Sequence, residues 1–146
     1  MRATKDDVMA VYDLLRPYFE ESALMLKATF SPENAIKTVM GWLSDDMYYC
    51  YLTEDGFFAL AINEVFTVEP ESMVEMFYVS PEGRGMGAGR KLLSAIDAIN
   101  KERGVVNCYA VSQSAFQDGG KNAKLFTNLF KKFGFCVIGD SLVREY

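Results

Sequence analysis

The chain has 146 residues, 50% of them hydrophobic, and it carries a net charge of −5 at pH 7. This length and apolar content favour a single folded domain over residues 1–146 and exclude a disordered chain. The acidic balance argues against a broad surface for nucleic acid or for a membrane, although local N–H groups and arginines can still hold a phosphate-bearing ligand.

Histidine is absent from the sequence, which removes the commonest general base and the commonest metal ligand. Nucleophilic sites of the Ser-His and Cys-His types are therefore excluded, and no metal site is predicted. A proton taken up at neutral pH must go to a carboxylate, a cysteine, the amino terminus or a water chain. Cys50, Cys108 and Cys136 lie in apolar runs without the spacing of a disulfide framework, so we expect buried free thiols.

The sequence shows no membrane or secretion signal. No apolar run reaches the roughly 18 residues that a membrane span requires. The first seven residues, Met-Arg-Ala-Thr-Lys-Asp-Asp, lack the apolar core of a signal peptide. We therefore expect a cytoplasmic protein.

Cap signals and helical spacing predict two helices in the first 45 residues, after a short strand at residues 1–3. Thr4, with Asp7 three residues later, forms a capping-box pattern, and the helical spacing continues to about residue 21. Ser31 at the cap and Pro32 at the first position begin the second helix, whose expected buried stripe is Ile36, Val39, Met40 and Leu43. Residues 20–25 connect the helices, either as an ordinary loop or as one wall of an acceptor site.

An antiparallel meander of three strands is predicted next. Residues 47–53 are rich in tyrosine and read as a strand, and the sequence Glu-Asp-Gly at residues 54–56 supplies a hairpin turn. Residues 57–66 form the returning strand, with residues 58, 60, 62, 64 and 66 on one face. A turn at residues 68–72 leads to the third strand, at residues 73–80.

A stretch rich in glycine follows the third strand. Residues 81–90 read Pro-Glu-Gly-Arg-Gly-Met-Gly-Ala-Gly-Arg, and a helix is predicted over residues 89–103. Glycine lets the backbone approach a ligand closely, and the first turn of a helix presents unpaired N–H groups and the positive end of the helix dipole. A strand, a glycine turn and a helix in this order indicate a phosphate cradle.

Three phosphate-binding patterns can be compared with this stretch. A Walker loop requires lysine and then serine or threonine after its last glycine, and no window fits. A dinucleotide fingerprint begun at Gly85 needs a glycine where Arg90 stands, and the following strand, residues 105–112, lacks an acid. The third pattern, Arg84-x-x-Gly87-x-Gly89 after a strand that ends in Val-x-Pro, resembles the pyrophosphate loop of the GCN5-related N-acetyltransferases, the GNAT family. A glycine turn without a ligand is the remaining alternative.

The end of the chain extends the resemblance. A polar loop at residues 113–120 precedes a last helix that starts near Asn122 and stops at Gly134. Its expected buried set is Leu125, Phe126, Leu129, Phe130 and Phe133. Short strands are predicted at residues 135–138 and 142–146. The order β-α-α-β-β-β-α-β-α-β-β is that of the GNAT acyl-CoA N-acyltransferase fold, an α/β (α+β) fold with a mixed, mostly antiparallel sheet flanked by helices.

The resemblance implies acetyl-CoA as co-substrate, with its pyrophosphate on backbone N–H groups of the loop and its pantetheine arm along the strand before it. The backbone N–H of Val79 would polarise the thioester carbonyl. The implied cofactor-binding residues are Phe77, Tyr78, Val79, Arg84, Gly85, Met86, Gly87, Ala88, Gly89, Arg90, Asn122 and Phe130.

Two glutamates are candidates for the catalytic base. Glu75 lies four residues before Val79 and, by strand alternation, on the face of Phe77 and Val79. The resemblance implies a carboxylate near this place that takes the amine's proton directly or through water, and we expect apolar neighbours to bury it. A solvated glutamate at a strand edge is the alternative. Glu64 is the second candidate, because the other residues of its face are apolar.

One position departs from the family pattern. Many members place a tyrosine four residues before the Gly-Phe pair of the last helix, where it protonates the departing thiolate. Here that position is Phe130, which has no proton to give. Tyr109, Ser112 and Ser114 are nearby substitutes without a distinguishing spacing. A thiolate with a pKa near 8.5 is a fair leaving group near neutral pH, so an acid helps but is not indispensable.

We therefore expect an N-acetyltransferase that moves an acetyl group from acetyl-CoA to a primary amine by direct attack. The alternative is an acyl-CoA-binding module with weak or no catalysis, and a purely structural domain would require an idle loop. The expected partner is a small-molecule or peptide amine, with no nucleic acid and no membrane, and a homodimer is compatible with this picture. The sequence does not identify the acceptor.

Overall fold

The computed structural model describes residues 1–21, 29–63, 67–110 and 121–138. Its helices are α1 (Val8–Glu21, after a 3-10 turn at Lys5–Asp7), α2 (Pro32–Ser44), α3 (Ala88–Glu102) and α4 (Lys121–Lys131). Its strands are β1 (Tyr48–Thr53), β2 (Gly56–Asn63), β3 (Glu71–Val79) and β4 (Asn107–Ala110). Among these helices, none is long and apolar enough to cross a membrane.

The four strands form one sheet in the order β1-β2-β3-β4. β1, β2 and β3 are antiparallel neighbours, whereas β3 and β4 run parallel. Thr53 pairs with Gly56, so β1 and β2 are joined by a two-residue turn at Glu54 and Asp55, the loop length that suits strand twist in a hairpin. The predicted mixed, mostly antiparallel sheet is confirmed.

β2 is the centre of the core, because its side chains are buried on both faces of the sheet. On one face, α1 and α2 pack their buried residues against Phe57 and Ala59. On the other face, Phe58 and Leu60 pack with α3 and α4, whose buried side chains there are Leu92, Leu93, Ile96 and Phe130. Full burial of a large apolar side chain stabilises the fold by about 1.5–3 kcal/mol, so these two clusters hold the helices on the sheet.

The predicted caps form at both N-terminal helices. The backbone N and the Oγ1 of Thr4 donate to Asp7 Oδ2 at 2.8 and 2.9 Å. Ser31 Oγ accepts from the backbone N of Asn34 at 3.3 Å. Both contacts join residues three apart in the chain, which is why the sequence pattern alone could predict them.

The predictions of short strands at residues 1–3 and 135–138, and of two buried helix residues, are wrong. The strand predicted at residues 1–3 is reduced to an antiparallel bridge between Arg2 and Tyr51, and residues 135–138 carry no regular structure. Met40 is 41% exposed and Leu125 is 54% exposed, although both were expected in buried stripes. Both lie at the border of the apolar face of their helix, where periodicity separates buried from exposed positions least well. Residues 64–66, 113–120 and 142–146, which include predicted strand and loop positions, lie outside the described residues.

A β-bulge interrupts β3 at Glu75. Val74 and Met76 pair with consecutive residues of β2, so Glu75 between them has no partner on that strand. An extra residue reverses the alternation of side chains beyond it. Met76 consequently packs with the α1–α2 cluster, and Phe77 packs with the α3–α4 cluster.

Candidate active site

A groove of about 820 Å³ lies between the carboxyl end of β3, the loop that follows it and α4. Residues 81–87, which join β3 to α3, are called the glycine loop below. The groove brings together nine of the twelve residues expected to bind acetyl-CoA. These nine are Phe77, Tyr78, Val79, Arg84, Gly85, Met86, Gly87, Gly89 and Arg90.

The other three expected residues are placed differently. Ala88, the first residue of α3, has a buried side chain. Asn122 lies in the first turn of α4, and its side chain falls outside the described part of the chain. The ring of Phe130 is 3% exposed and is not among the described residues that line the groove. The position of Phe130 in the sequence could not show whether its ring lines the groove or lies in the core behind it.

The glycine loop exposes backbone N–H groups at one end of the groove. Gly85 and Gly87 adopt left-handed backbone conformations with φ of 80° and 89°, which glycine adopts without the steric cost of a side chain. The first helical hydrogen bond of α3 runs from Lys91 N to Gly87 O at 3.1 Å. Among the described residues, no group accepts from the amides that precede it, those of Gly85, Gly87, Ala88, Gly89 and Arg90.

This arrangement fits a diphosphate. A Cβ built at Gly85 or at Gly87 meets no atom within 4 Å, so the space in front of both residues is open. The unpaired amides lie at the positive end of the α3 dipole, and the first turn of α3 contains no acidic residue. Arg90 from α3 and Lys132 after α4 add positive charge to the lining. The residues present can therefore bind the doubly charged linkage of a coenzyme A molecule.

Arg84 has a second contact besides its place in the lining. Its Nε donates to the carbonyl oxygen of Val79 at 3.0 Å, and its guanidinium carbon lies 5.8 Å from the centre of the Tyr78 ring. The side chain thus joins the loop to the last residues of β3. The expectation that Arg84 lies at the phosphate end is consistent with its position, but part of its guanidinium already holds the strand.

Aromatic rings form the wall between β3 and α4. The Phe77 ring lies edge-on to Phe126 and Phe130, with centroids 6.0 and 5.1 Å away. On the opposite face of β3, the buried ring of Tyr78 meets Tyr18 of α1 at 6.0 Å in a T-shaped pair. The described pairing of β3 with β4 ends at Val74, so the backbone of residues 77–79 lies beyond it, beside the groove.

The structure corrects the expected surroundings of Glu75. Its side chain is exposed rather than buried, and the bulge removes it from the face of Phe77 and Val79. Burial first, then the negative charges of Glu75 and Asp45, raise the pKa of the Tyr48 hydroxyl above its usual value. Glu75 therefore faces the α1–α2 side of the sheet, at the point where β3 is distorted. Glu64, the second candidate base, lies outside the described residues.

Seven residues that line the groove were not predicted as parts of a site: Tyr18, Gly83, Leu125, Phe126, Asn128, Leu129 and Lys132. Leu125, Asn128 and Lys132 project into the groove from one side of the last helix and its end. Their spacing of three and four residues is that of a single helix face, so this signal was available in the sequence. Tyr18 joins the groove from α1, and only the packing of α1 on β3 brings it there.

The remaining candidate groups are less suited to chemistry at the groove. Burial raises the pKa of the Cys50 thiol to about 12, which keeps the thiol un-ionised near neutral pH. All three cysteines were expected to be buried, but Cys136 is exposed and Cys108 is partly exposed. Tyr109 donates its hydroxyl to Glu71 Oε1 at 3.1 Å, and that bond, with the charge of Glu71, raises the pKa of Tyr109. Ser112 and Ser114 lie outside the described residues.

Known proteins share this fold. A family model of the GNAT acetyltransferase domain matches residues 45–137. A predicted acetyltransferase of Clostridium acetobutylicum, solved with acetyl-CoA, has a TM-score of 0.74 at 16% identity, over 99% of this chain and 94% of that one. An aminoglycoside acetyltransferase from an uncultured soil metagenomic sample, in complex with sisomicin, has a TM-score of 0.66 at 18% identity, over 100% and 92%. A ribosomal-protein-alanine N-acetyltransferase of Brucella melitensis biovar Abortus 2308 has a TM-score of 0.67 at 14% identity, over 100% and 98%.

Comparison with curated sequences gives no significant match. At identities below 20%, the solved structures establish the fold, a mixed sheet with flanking helices. The family model goes further, because it covers more than half of the chain and includes β3, the glycine loop, α3 and α4. The chain therefore belongs to the GNAT family of acetyltransferases.

Proposed function

We propose that this acetyltransferase moves an acetyl group from acetyl-CoA to a primary amine by direct attack of the amine on the thioester. The observation that carries the proposal is the set of amides at Gly85, Gly87, Ala88, Gly89 and Arg90, for which the described residues provide no acceptor. All of these residues except Ala88 line the groove at the start of α3. Such a set binds an anion through fixed N–H groups and the helix dipole.

Different residues of the groove would bind different parts of acetyl-CoA. The amides of the glycine loop and of the first turn of α3 would hold the diphosphate, with Arg90 and Lys132 close by. The backbone of residues 77–79 would pair with the pantetheine arm, and the N–H of Val79 would polarise the thioester carbonyl. Phe77 and Phe126 present apolar edges at this part of the groove, which limits the access of water to the reacting carbon.

In the reaction, a bond forms between the amine nitrogen and the acetyl carbon, and the bond from that carbon to sulfur breaks. The amine's proton must reach a base, and we assign this to Glu75, acting directly or through water from its exposed position on the bulge. The leaving thiolate carries away the electron pair. With a pKa near 8.5, it can leave and take its proton from water near neutral pH.

Direct attack is favoured over a covalent acetyl-cysteine route. A thiol must ionise to act as a nucleophile, and the raised pKa of buried Cys50 prevents this near neutrality. The sequence also has no histidine to activate a thiol. The net charge of −5 favours a cationic amine as acceptor.

A second candidate function is an acyl-CoA-binding module with weak catalysis or none. The observation that favours it is the phenylalanine at position 130, which is buried and has no proton to donate. Such a module would keep the amide cradle and lose turnover.

One experiment separates these functions. Acetyl-CoA is titrated into the protein in a calorimeter, and thiol release is then followed with polyamines, amino acids, aminoglycosides and lysine peptides. Binding with thiol release that depends on one class of amine supports the transferase. Binding without release in any class supports the module, and no binding contradicts both. Pre-incubation with acetyl-CoA alone should leave the protein unacetylated, because direct attack forms no acetyl-enzyme.

A further inference from the structure

We propose that the turn between β1 and β2 positions the glycine loop, and that Asp55 in this turn is a positioning residue for acetyl-CoA binding. The inference rests on the proposed use of acetyl-CoA. Asp55 does not line the groove; it acts through the loop. Three features of the contact carry the argument: a backbone hydrogen bond, a buried glycine and the link from that glycine to the unpaired amides.

The first feature is the hydrogen bond that joins the two turns. The backbone N of Ser80 donates to the carbonyl oxygen of Asp55 at 2.7 Å. The carbonyl of the same peptide unit, that of Val79, accepts from Arg84 Nε at 3.0 Å. The last peptide of β3 is therefore held from one side by the hairpin turn and from the other side by the glycine loop.

The second feature is the close approach of Gly83 to Asp55. Gly83 is buried, and its φ is not in the left-handed region occupied by Gly85 and Gly87. Glycine is therefore not required there by backbone conformation. A Cβ built at Gly83 would lie 2.5 Å from Asp55 Cβ and 3.1 Å from Asp55 Cγ. The missing side chain is what lets the loop rest against the hairpin turn.

The third feature is how a shift at Gly83 would reach the cradle. Gly83 N donates to Ser80 O at 3.0 Å, and Met86 N donates to Gly83 O at 3.2 Å. This hydrogen-bonded turn leads to Gly87, the N-cap residue that precedes α3. The unpaired amides start only two residues after Gly83, so a displaced Gly83 moves their N–H vectors. A binding constellation tolerates displacements of only about 0.5 Å.

The test is a double-mutant cycle with Gly83→Ala and Asp55→Gly. Gly83→Ala should raise the Kd and the KM for acetyl-CoA about tenfold, with kcat at saturating acetyl-CoA changed less than about threefold, because the loop binds and does not react. In the Asp55→Gly background the same alanine meets neither Cβ nor Cγ at position 55. There the added Cβ still meets Val79 Cγ1 at 3.2 Å, a contact that a small shift of that side chain relieves, so Gly83→Ala should raise either constant much less than it does in the wild-type background.

Gly41→Ala is the matched control, because a Cβ at Gly41 meets no atom within 4 Å. It should bind acetyl-CoA as the wild type does. Melting temperatures without ligand report folding separately from Kd. If Gly83→Ala does not fold, Asp55→Gly alone remains informative: it removes the side chain against which the loop rests and should raise Kd a few-fold.

The results distinguish this inference from the proposed function. A wild type that does not bind acetyl-CoA would contradict the proposed function itself. A wild type that binds, with Gly83→Ala binding equally well, would overturn the positioning role alone. The same holds if the double variant binds as weakly as Gly83→Ala, since the loss would then not pass through Asp55.

Discussion

Phe126 and Phe130 stack in α4 with ring centroids 4.1 Å apart, yet of the two only Phe126 lines the groove. Phe130 is also enclosed by Phe77 and Phe135, at 5.1 and 4.9 Å. One turn of helix thus separates a ring that lines the groove from a ring in the core. Phe130, the position at which the family resemblance implies a tyrosine, therefore contributes packing here.

Phe130→Tyr tests this arrangement. Because Phe130 is 3% exposed and surrounded by rings, the new hydroxyl should be buried without a partner and lower the free energy of unfolding by about 1–3 kcal/mol. Phe126→Tyr is the matched control, since its ring borders the groove, and it should cost less. Thermal melts and thiol-release rates are measured for both. A stable Phe130→Tyr variant with a raised kcat would show instead that the hydroxyl reaches the sulfur.

Gly87→Glu tests the cradle. The substitution places a negative charge where the structure leaves open space before the unpaired amides, so acetyl-CoA should bind at least about tenfold more weakly, about 1.4 kcal/mol. Gly87→Gln has the same size and the same backbone strain at a φ of 89°, but it lacks the charge. Calorimetry should give an intermediate affinity for glutamine. Equal affinities of wild type and Gly87→Glu for acetyl-CoA would mean that the loop is not part of the binding site.

Glu75→Gln tests the base. The variant should keep its affinity for acetyl-CoA and lose kcat by roughly 10²-fold or more, because the amide cannot accept the amine's proton. Glu102→Gln, at the exposed end of α3, is the control and should leave kcat unchanged. An unaltered rate at pH 7 for Glu75→Gln would show that Glu75 is not the base. The proton would then be taken by Glu64 or by water, or no side chain would be needed as a base.

The capping box at Thr4 makes stability depend on pH. Hydrogen bonds from the backbone and then the side chain of Thr4 lower the pKa of Asp7. A depressed folded-state pKa contributes stability that is present above the unfolded value of about 3.9 and lost as pH falls through the folded value. The drop in melting temperature between pH 7 and pH 3 should therefore be smaller in Asp7→Asn than in the wild type. Equal drops would mean that this bond does not contribute to acid sensitivity.

The sequence by itself determined the local features of this protein. The caps at Thr4 and Ser31, the hairpin turn before Gly56 and the run from β3 through the glycine loop to α3 all follow from contacts between residues a few positions apart. Backbone conformation, cap hydrogen bonds and side-chain periodicity decide such features, and each depends only on residues within a short stretch of sequence. The proposed phosphate cradle is of this kind, because its donors belong to one continuous segment.

Only the tertiary structure decided which distant groups meet at the groove. Strand alternation placed Glu75 with Phe77, but the bulge against β2 reversed the faces, and a bulge depends on the partner strand as well as on its own sequence. Gly83 belongs to the predicted glycine-rich stretch, yet a Cβ built there would meet Asp55, 28 positions earlier in the chain. These relationships arise from packing between elements far apart in the sequence, where an added atom or a shifted pair changes which side chains touch.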